Sequence, residues 1–342
     1  MFELFTGAQP LVGGETDPGP LEKRIDSLDQ AQVIDRVLIG YSSIWPHNHA
    51  VVPYALARSN HFSPIMAHRP GVMSPVAAAR FFASLDVLAR GRLALNVVVG
   101  GSDKDLMREG DSTPKADRYR RATEYLDIVR RSWTSTEAFD HHGEFYDVES
   151  VKLQTRPFQG QVPIFMGGDS EDAIEFGAKH ADLYMLWGEP IAGTRERIER
   201  VKKASARHGR DMRFSVSLRL FVAETDDLAW QAARAVEREI LAAQGSNAFL
   251  RSSKGDTSVG RQRALALTDE ELHDDCFWTG LTKLLGGFAN SQALVGSYDR
   301  VLDTLRRYRE LGIDAFLVTT GAEASYDPSL AEFLVETKRA LA

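Results

Sequence analysis

Residues 74–99 read SPVAAARFFASLDVLARGRLALNVVV, and two periodicities meet inside this stretch. From Pro75 to Ala89 the apolar residues recur at helical spacing. Ser74 stands where an N-cap belongs, Pro75 takes the first helical position, where a missing N–H is no loss, and Gly91 lies just past the end. Residues 92–99 are then almost continuously apolar, as in a strand covered on both faces, and such strands belong to parallel sheets flanked by helices. Outward from this unit the alternation repeats. Residues 37–41 and 63–67 read as buried strands before it. After it come a helix over 117–133, a strand over 163–166, a helix over 170–180, a strand over 182–187 and a helix over 195–208. A strand over 214–223, a helix over 226–244, a helix over 298–311, a strand over 313–319 and a last helix over 328–342 complete the series.

Strand followed by helix, about eight times over, implies parallel strands joined by helical crossovers. An open doubly wound sheet and a closed eightfold barrel both satisfy the pattern. The repeat count and the length of 342 residues favour an α/β fold of the (β/α)8 TIM-barrel type, as one domain over residues 1–342. Two segments break the rhythm and read as insertions. Residues 134–162 carry Gly143, Pro157 and Gly160, and residues 245–296, rich in Gly, Ser and charge, read as a mobile lid.

With 43% hydrophobic and 26% charged residues the chain is neither disordered nor fibrous. A net charge of -7 argues against nucleic-acid and anionic-membrane partners. The single cysteine, Cys276, excludes an internal disulfide and a multi-cysteine metal site, and no base is visible beside it. Met1–Phe5 has an acid and no basic run, unlike a secretory signal, and no apolar run is long enough to span a bilayer, so a cytoplasmic location is expected. The close histidine pairs, His47 with His49 and His141 with His142, lack a metal-binding spacing, and no metal is expected.

In a parallel barrel the chemistry sits at the C-terminal ends of the strands. Gly167-Gly168-Asp169-Ser170 follows one strand and opens a helix, whose free N–H groups favour an anion such as a phosphate. A glycine turn with Asp169 or Ser170 as a plain N-cap is the other reading, and an acid beside a phosphate requires Asp169 to point away. Gly100-Gly101 lacks the dinucleotide fingerprint. Arg69, with His68 beside it, and Arg219 end strands. Two guanidinium forks at one mouth suit a small anionic substrate, whereas pairing with barrel carboxylates makes them structural.

The chain also resembles the bacterial luciferase-like flavin-dependent monooxygenases, and within them the alkanesulfonate monooxygenase branch. The matching residues include Arg69-Pro-Gly-Val-Met-Ser-Pro75, Asn96-Val97, Asp117-Arg-Tyr119, Phe165-Met-Gly-Gly168, Trp187-Gly-Glu-Pro190, Ser258-Val-Gly260 and Ala293-Leu-Val-Gly296. The resemblance implies reduced FMN supplied by a separate NAD(P)H-dependent flavin reductase, with O2 as co-substrate. A peroxyflavin would then oxidise a small organosulfur substrate such as an alkanesulfonate. It further implies a homo-oligomer, dimer or tetramer. Carried onto this chain, Gly168, Asp169 and Ser170 hold the FMN phosphate with Tyr119, Asn96 and Val98 line the flavin ring, and Trp187 and Arg69 stand near the substrate; Gly167 joins the cradle, and Arg219 and His68, read from their strand ends, complete the catalytic candidates.

Departures fall on the sulfonate clamp. Trp45 stands where that branch has a cysteine, Ser217-Leu218-Arg219 where it has Arg-Leu-His, and Leu285 where a lid arginine precedes the glycine pair Gly286-Gly287. Lys283 is the nearest replacement cation, and Trp45 could stack on a flat ring. The alternatives are therefore the same chemistry on a heterocyclic or ring substrate, a flavin included, an F420-dependent dehydrogenase, or a non-catalytic flavin-binding barrel.

Overall fold

The computed structural model describes residues 2–8, 17–100, 103–243, 258–287, 291–320 and 327–342. Its strands are β1 (Glu3–Ala8), β2 (Arg36–Ile39), β3 (Pro64–His68), β4 (Ala94–Val97), β5 (Phe139–His142), β6 (Asp147–Val151), β7 (Ile164–Met166), β8 (Leu183–Trp187), β9 (Arg213–Ala223), β10 (Leu272–His273), β11 (Phe277–Trp278), β12 (Ala293–Ser297) and β13 (Ile313–Thr319). The helices used below are α1 (Gly19–Gln30), α2 (Asn48–Arg58), α3 (Pro75–Leu88), α4 (Asp103–Arg108), α5 (Lys115–Thr134), α6 (Glu171–His180), α7 (Ile191–Arg207), α8 (Asp226–Ala243), α9 (Val259–Ala266), α10 (Gly280–Leu284), α11 (Tyr298–Glu310) and α12 (Ala331–Leu341). Eight parallel strands close on themselves in the order β1, β2, β3, β4, β7, β8, β9, β13 and back to β1. The expected barrel is therefore present.

Each strand's two faces do different work. One face packs outward on the helices in the main core, around Phe82, Tyr125, Trp133 and Phe316. The other fills the barrel with Phe5, Ile65, Ala94, Phe165, Leu183, Ala315 and Leu317. Phe5 and Phe165 stack there at 6.0 Å between ring centroids. Below them Glu3 joins Arg36 at 3.3 Å and Arg213 at 2.8 Å, an ion cluster that closes the N-terminal end of the barrel.

Both insertions carry structure. Residues 134–162 hold the antiparallel pair β5–β6 instead of an unbroken loop. The 245–296 segment lies partly outside the described residues. What is described of it, from residue 258, forms α9, the hairpin β10–β11 and α10, and β12 runs beside the last residues of β9. Phe277, Trp278 and Leu281 are fully buried, and Trp278 and Leu281 share a satellite core with Phe221 and Ala233. No helix among the described residues is long and apolar enough to cross a membrane.

Candidate active site

The period-2 alternation that fills the barrel also decides which side chains line its C-terminal mouth. One step above Phe5, Leu38 and Ile65 come Gly7, Gly40 and Ala67, so this side of the mouth is lined by small residues. One step above Met185, Ser215 and Leu317 come Trp187, Ser217 and Thr319, with Arg219 a further step up β9. Asn96, half-buried, and Val98, 37% exposed, follow Ala94 between the two sides. Trp45 folds back over Gly40, where even a methyl group would stand 2.9 Å from its indole.

The β7–α6 turn brings most of the expected cradle together. Ser170 is the N-cap of α6 and accepts a hydrogen bond from the Ala173 N–H at 3.2 Å. The Tyr119 phenol is hydrogen-bonded to Ser170, and its pKa is raised by burial against the opposing pull of that bond. Asp169 does point away, forming an ion pair with the buried Arg197 of α7. Burial raises the Asp169 carboxyl, and Arg197 opposes it. Arg197 also donates to the Gly168 carbonyl at 2.8 Å, as does the Tyr184 hydroxyl at 2.7 Å, so the turn is held from behind. The two glycines have a reason of their own. A Cβ on Gly167 would lie 2.3 Å from the Met185 carbonyl oxygen, and one on Gly168 2.6 Å from the Ala173 Cβ. Close strand–helix packing demands them, whatever ligand binds. A hydroxyl pair at a helix N-terminus, with its acid turned away, fits a phosphate group.

Arg69 is placed in a tight cluster. Its guanidinium lies 5.0 Å from the Tyr41 ring centroid and pairs with Asp105 at 3.5 Å and with Glu109. Tyr41 donates to Glu109 at 2.7 Å and the Ser43 amide to Asp105 at 3.3 Å. The cluster ties the β2–α2 loop, the end of β3 and the α4 segment together. The structural reading of Arg69, pairing with carboxylates, is thus realised in this state. His68 does not face the mouth. Alternation turns it outward under α3 and α5, where its Nε2 lies 2.8 Å from the Tyr125 hydroxyl, and burial holds its pKa well below the usual range. His49 packs beside it, 5.4 Å between ring centroids, with its pKa brought down to about 4 by burial and by His47.

On the opposite side Arg219 is 3% exposed, and burial lowers its pKa to about 10, so it remains a cation at neutral pH. Its amide donates to the Gln292 carbonyl at 2.8 Å, where β12 takes over from β8 as the neighbour of β9. The α9 helix leans on this side: a Cβ on Gly260 would collide with the Asp169 carboxylate and lie 3.3 Å from the Trp187 ring. Arg263 of α9 forms a two-pronged pair with Glu189 at 2.9 and 2.8 Å. Lys283 stands exposed on α10 in the field of Glu271, and Leu285 packs on the satellite core. Cys276 is buried with its thiol pushed up to about 11, which leaves it a poor nucleophile.

Sequence reasoning passed over Arg197, which orients Asp169, and the acids Asp105 and Glu109 that occupy Arg69. Charge alternation in α7 hinted at surface pairing only, and α4 is too short to show a face. Among the described residues no group of three or more His, Cys, Asp or Glu is placed to hold a metal.

The family model described as luciferase-like monooxygenase matches residues 12–315. Among solved structures, riboflavin lyase with modified FMN and its substrate riboflavin is similar at a TM-score of 0.76 and 17% identity, over 100% of this chain and 92% of that one. EDTA monooxygenase from Chelativorans sp. BNC1 follows at 0.74 and 14%, over 99% and 93%. A long-chain alkane monooxygenase gives 0.73 and 16%, over 99% and 91%. At such identities these likenesses speak for the fold.

Proposed function

From the premise that the chain belongs to the luciferase-like monooxygenase family, we propose that it is the oxygenating half of a two-component system, taking reduced FMN from a separate NAD(P)H-dependent flavin reductase and oxidising a small organosulfur compound. The observation that carries the cofactor assignment is the paired hydroxyls of Tyr119 and Ser170 at the N-terminus of α6, with Asp169 drawn off by Arg197. Reduced FMN, when bound, supplies the electrons that activate dioxygen. The protein's part is binding, orientation and electrostatics. Tyr119 and Ser170 hold the phosphate, Asn96 and Val98 flank the ring, and Trp45 and Trp187 exclude water from the mouth. Arg219, a cation in a site of low dielectric, stabilises negative charge that develops beside it.

A second reading of the substrate draws on Arg69. Its charge is already taken by Asp105 and Glu109, which favours an uncharged ring compound over a sulfonate. Anaerobic titration with reduced FMN, reduced F420 and NADH tests the cofactor. Saturable binding of FMN without NADH binding is expected, followed by oxygen uptake in the presence of substrate. Binding of F420 alone would move the chain to hydride transfer. Hexanesulfonate compared with sulfolane in the same oxygen assay separates the anionic from the uncharged substrate.

A further inference from the structure

Thr319 ends β13 at the mouth, and its neighbours below on the same face, Ala315 and Leu317, belong to the barrel filling. It is 0% exposed, and its hydroxyl has no hydrogen-bond partner. Most buried threonines elsewhere in the chain find a carbonyl. Thr6 donates to Val318 at 2.9 Å, Thr194 to Glu189 at 2.9 Å and Thr304 to Arg300 at 3.1 Å. Thr282 and Thr337 share the orphan state, but on helices α10 and α12 away from the mouth. A buried hydroxyl left unmet is destabilising, and a native fold keeps one where something else satisfies it.

The strand register sets Thr319 beside Arg219, and Trp187 beside Ser217 one step lower. A cation, a hydroxyl and an indole thus share one wall, with Gly7 on the adjoining β1 and Ala67 of β3 across the mouth. We propose that Thr319 is a specificity-determining residue, whose hydroxyl donates to the accepting oxygen of the substrate (a carbonyl, sulfone or sulfonate oxygen) next to the Arg219 guanidinium. This rests on the reading of the mouth as the reaction site and adds the chemical feature by which a substrate is chosen there. An accepting oxygen meets the Thr319 hydroxyl beside the Arg219 guanidinium. A thioether or hydrocarbon leaves that hydroxyl unmet, which is how a polar pocket rejects an analogue lacking the group.

The test compares wild type, Thr319→Val and Thr319→Ser. Reduced-FMN affinity and thermal stability are measured first. FMN affinity is expected to stay at the wild-type value and thermal stability to stay at or rise above it in Thr319→Val, because valine keeps the shape and removes an unmet hydroxyl. Failure of wild type to bind FMN removes the flavin reading while leaving the next arm able to judge Thr319. That arm measures binding of sulfolane, cyclohexanone and hexanesulfonate, with tetrahydrothiophene as the oxygen-free counterpart of sulfolane. Thr319→Val is expected to weaken the oxygen-bearing probe that binds by about fivefold to tenfold, Thr319→Ser by less than about twofold, and tetrahydrothiophene not at all. Unchanged sulfolane, cyclohexanone and hexanesulfonate affinity in Thr319→Val overturns the proposal and assigns the hydroxyl to a buried water. Equal weakening of tetrahydrothiophene overturns it in favour of packing. Absence of binding by every oxygen-bearing probe at millimolar concentration overturns it as well.

Discussion

Two strand-end arginines face one another across the barrel mouth, and they live in opposite circumstances. Arg69 is enclosed by Asp105, Glu109 and the Tyr41 ring, so its charge is balanced and its geometry fixed. Arg219 is as deeply buried, yet burial is what moves its pKa, downward to about 10. Sequence position alone makes the two equivalent. Carboxylates from α4 and its end make the first a fastener between three segments, while the second stands on the wall beside Thr319 and Ser217. A strand-end arginine is therefore informative about function only once its counter-charges are known.

The contrast can be broken most directly at Arg69. Replacing it with methionine leaves Asp105 to Arg108 and Ser43 and Glu109 to Tyr41, both partly exposed, so the loss of stability is held to about 1–2 kcal/mol. Urea unfolding measures it, and an unchanged midpoint would mean that the cluster contributes no fastening. The Arg69 side of the barrel also carries a pH dependence centred on a histidine. His49 titrates near 4 in the folded chain against 6.5 unfolded, with His47 and His68 adjoining. Since the folded value is the lower one, its contribution is complete above about pH 6.5 and is lost as pH falls toward 4, by about 1–2 kcal/mol at pH 5. His49→Gln is expected to flatten the stability–pH curve in that window, and a curve of unaltered slope would refute the assignment.

Smaller effects sharpen the picture. Ser170→Ala removes both the α6 cap and a phosphate donor. About 1 kcal/mol of stability and about 1–2 kcal/mol of FMN affinity are expected to go together, read by thermal melts and fluorescence titration. Retained affinity would take Ser170 out of the cradle. Arg219→Met is expected to abolish turnover of an anionic or oxygen-bearing substrate while reduced-FMN affinity stays at the wild-type value, read by oxygen uptake and fluorescence titration. A large fall in melting temperature with normal turnover would make Arg219 the structural arginine of the pair.

Much of the barrel could be read from residues 74–99 and their repeats, because two-sided burial writes long apolar runs. β1 and β12 escaped that reading. Glu3–Ala8 begins on an acid that belongs to the ion cluster below the barrel, and Ala293–Ser297 is a short run at the end of the long second insertion. The β5–β6 pair escaped as well, since FDHH and DVESV expose most of their side chains and show no alternation. At the site, Tyr119 and Ser170 lie together in hydrogen-bond contact, whereas Trp45, a departure from the family, packs over Gly40. His68 does not face the mouth, because a shift of one residue along a strand exchanges mouth for helix layer. Nor could the orphan state of Thr319 be seen in advance, since it depends on what a hydroxyl fails to reach.

The ion cluster of Glu3, Arg36 and Arg213, with the Phe5–Phe165 stack above it, leaves the barrel sealed at one end. Anything larger than a gas molecule then shares a single doorway for arrival and departure. A two-substrate reaction in such a well is a matter of queueing. The molecule seated deepest has to enter first and leave last, so the order of addition is set by the architecture before any affinity is considered, and product lingering at the door holds up the next turn.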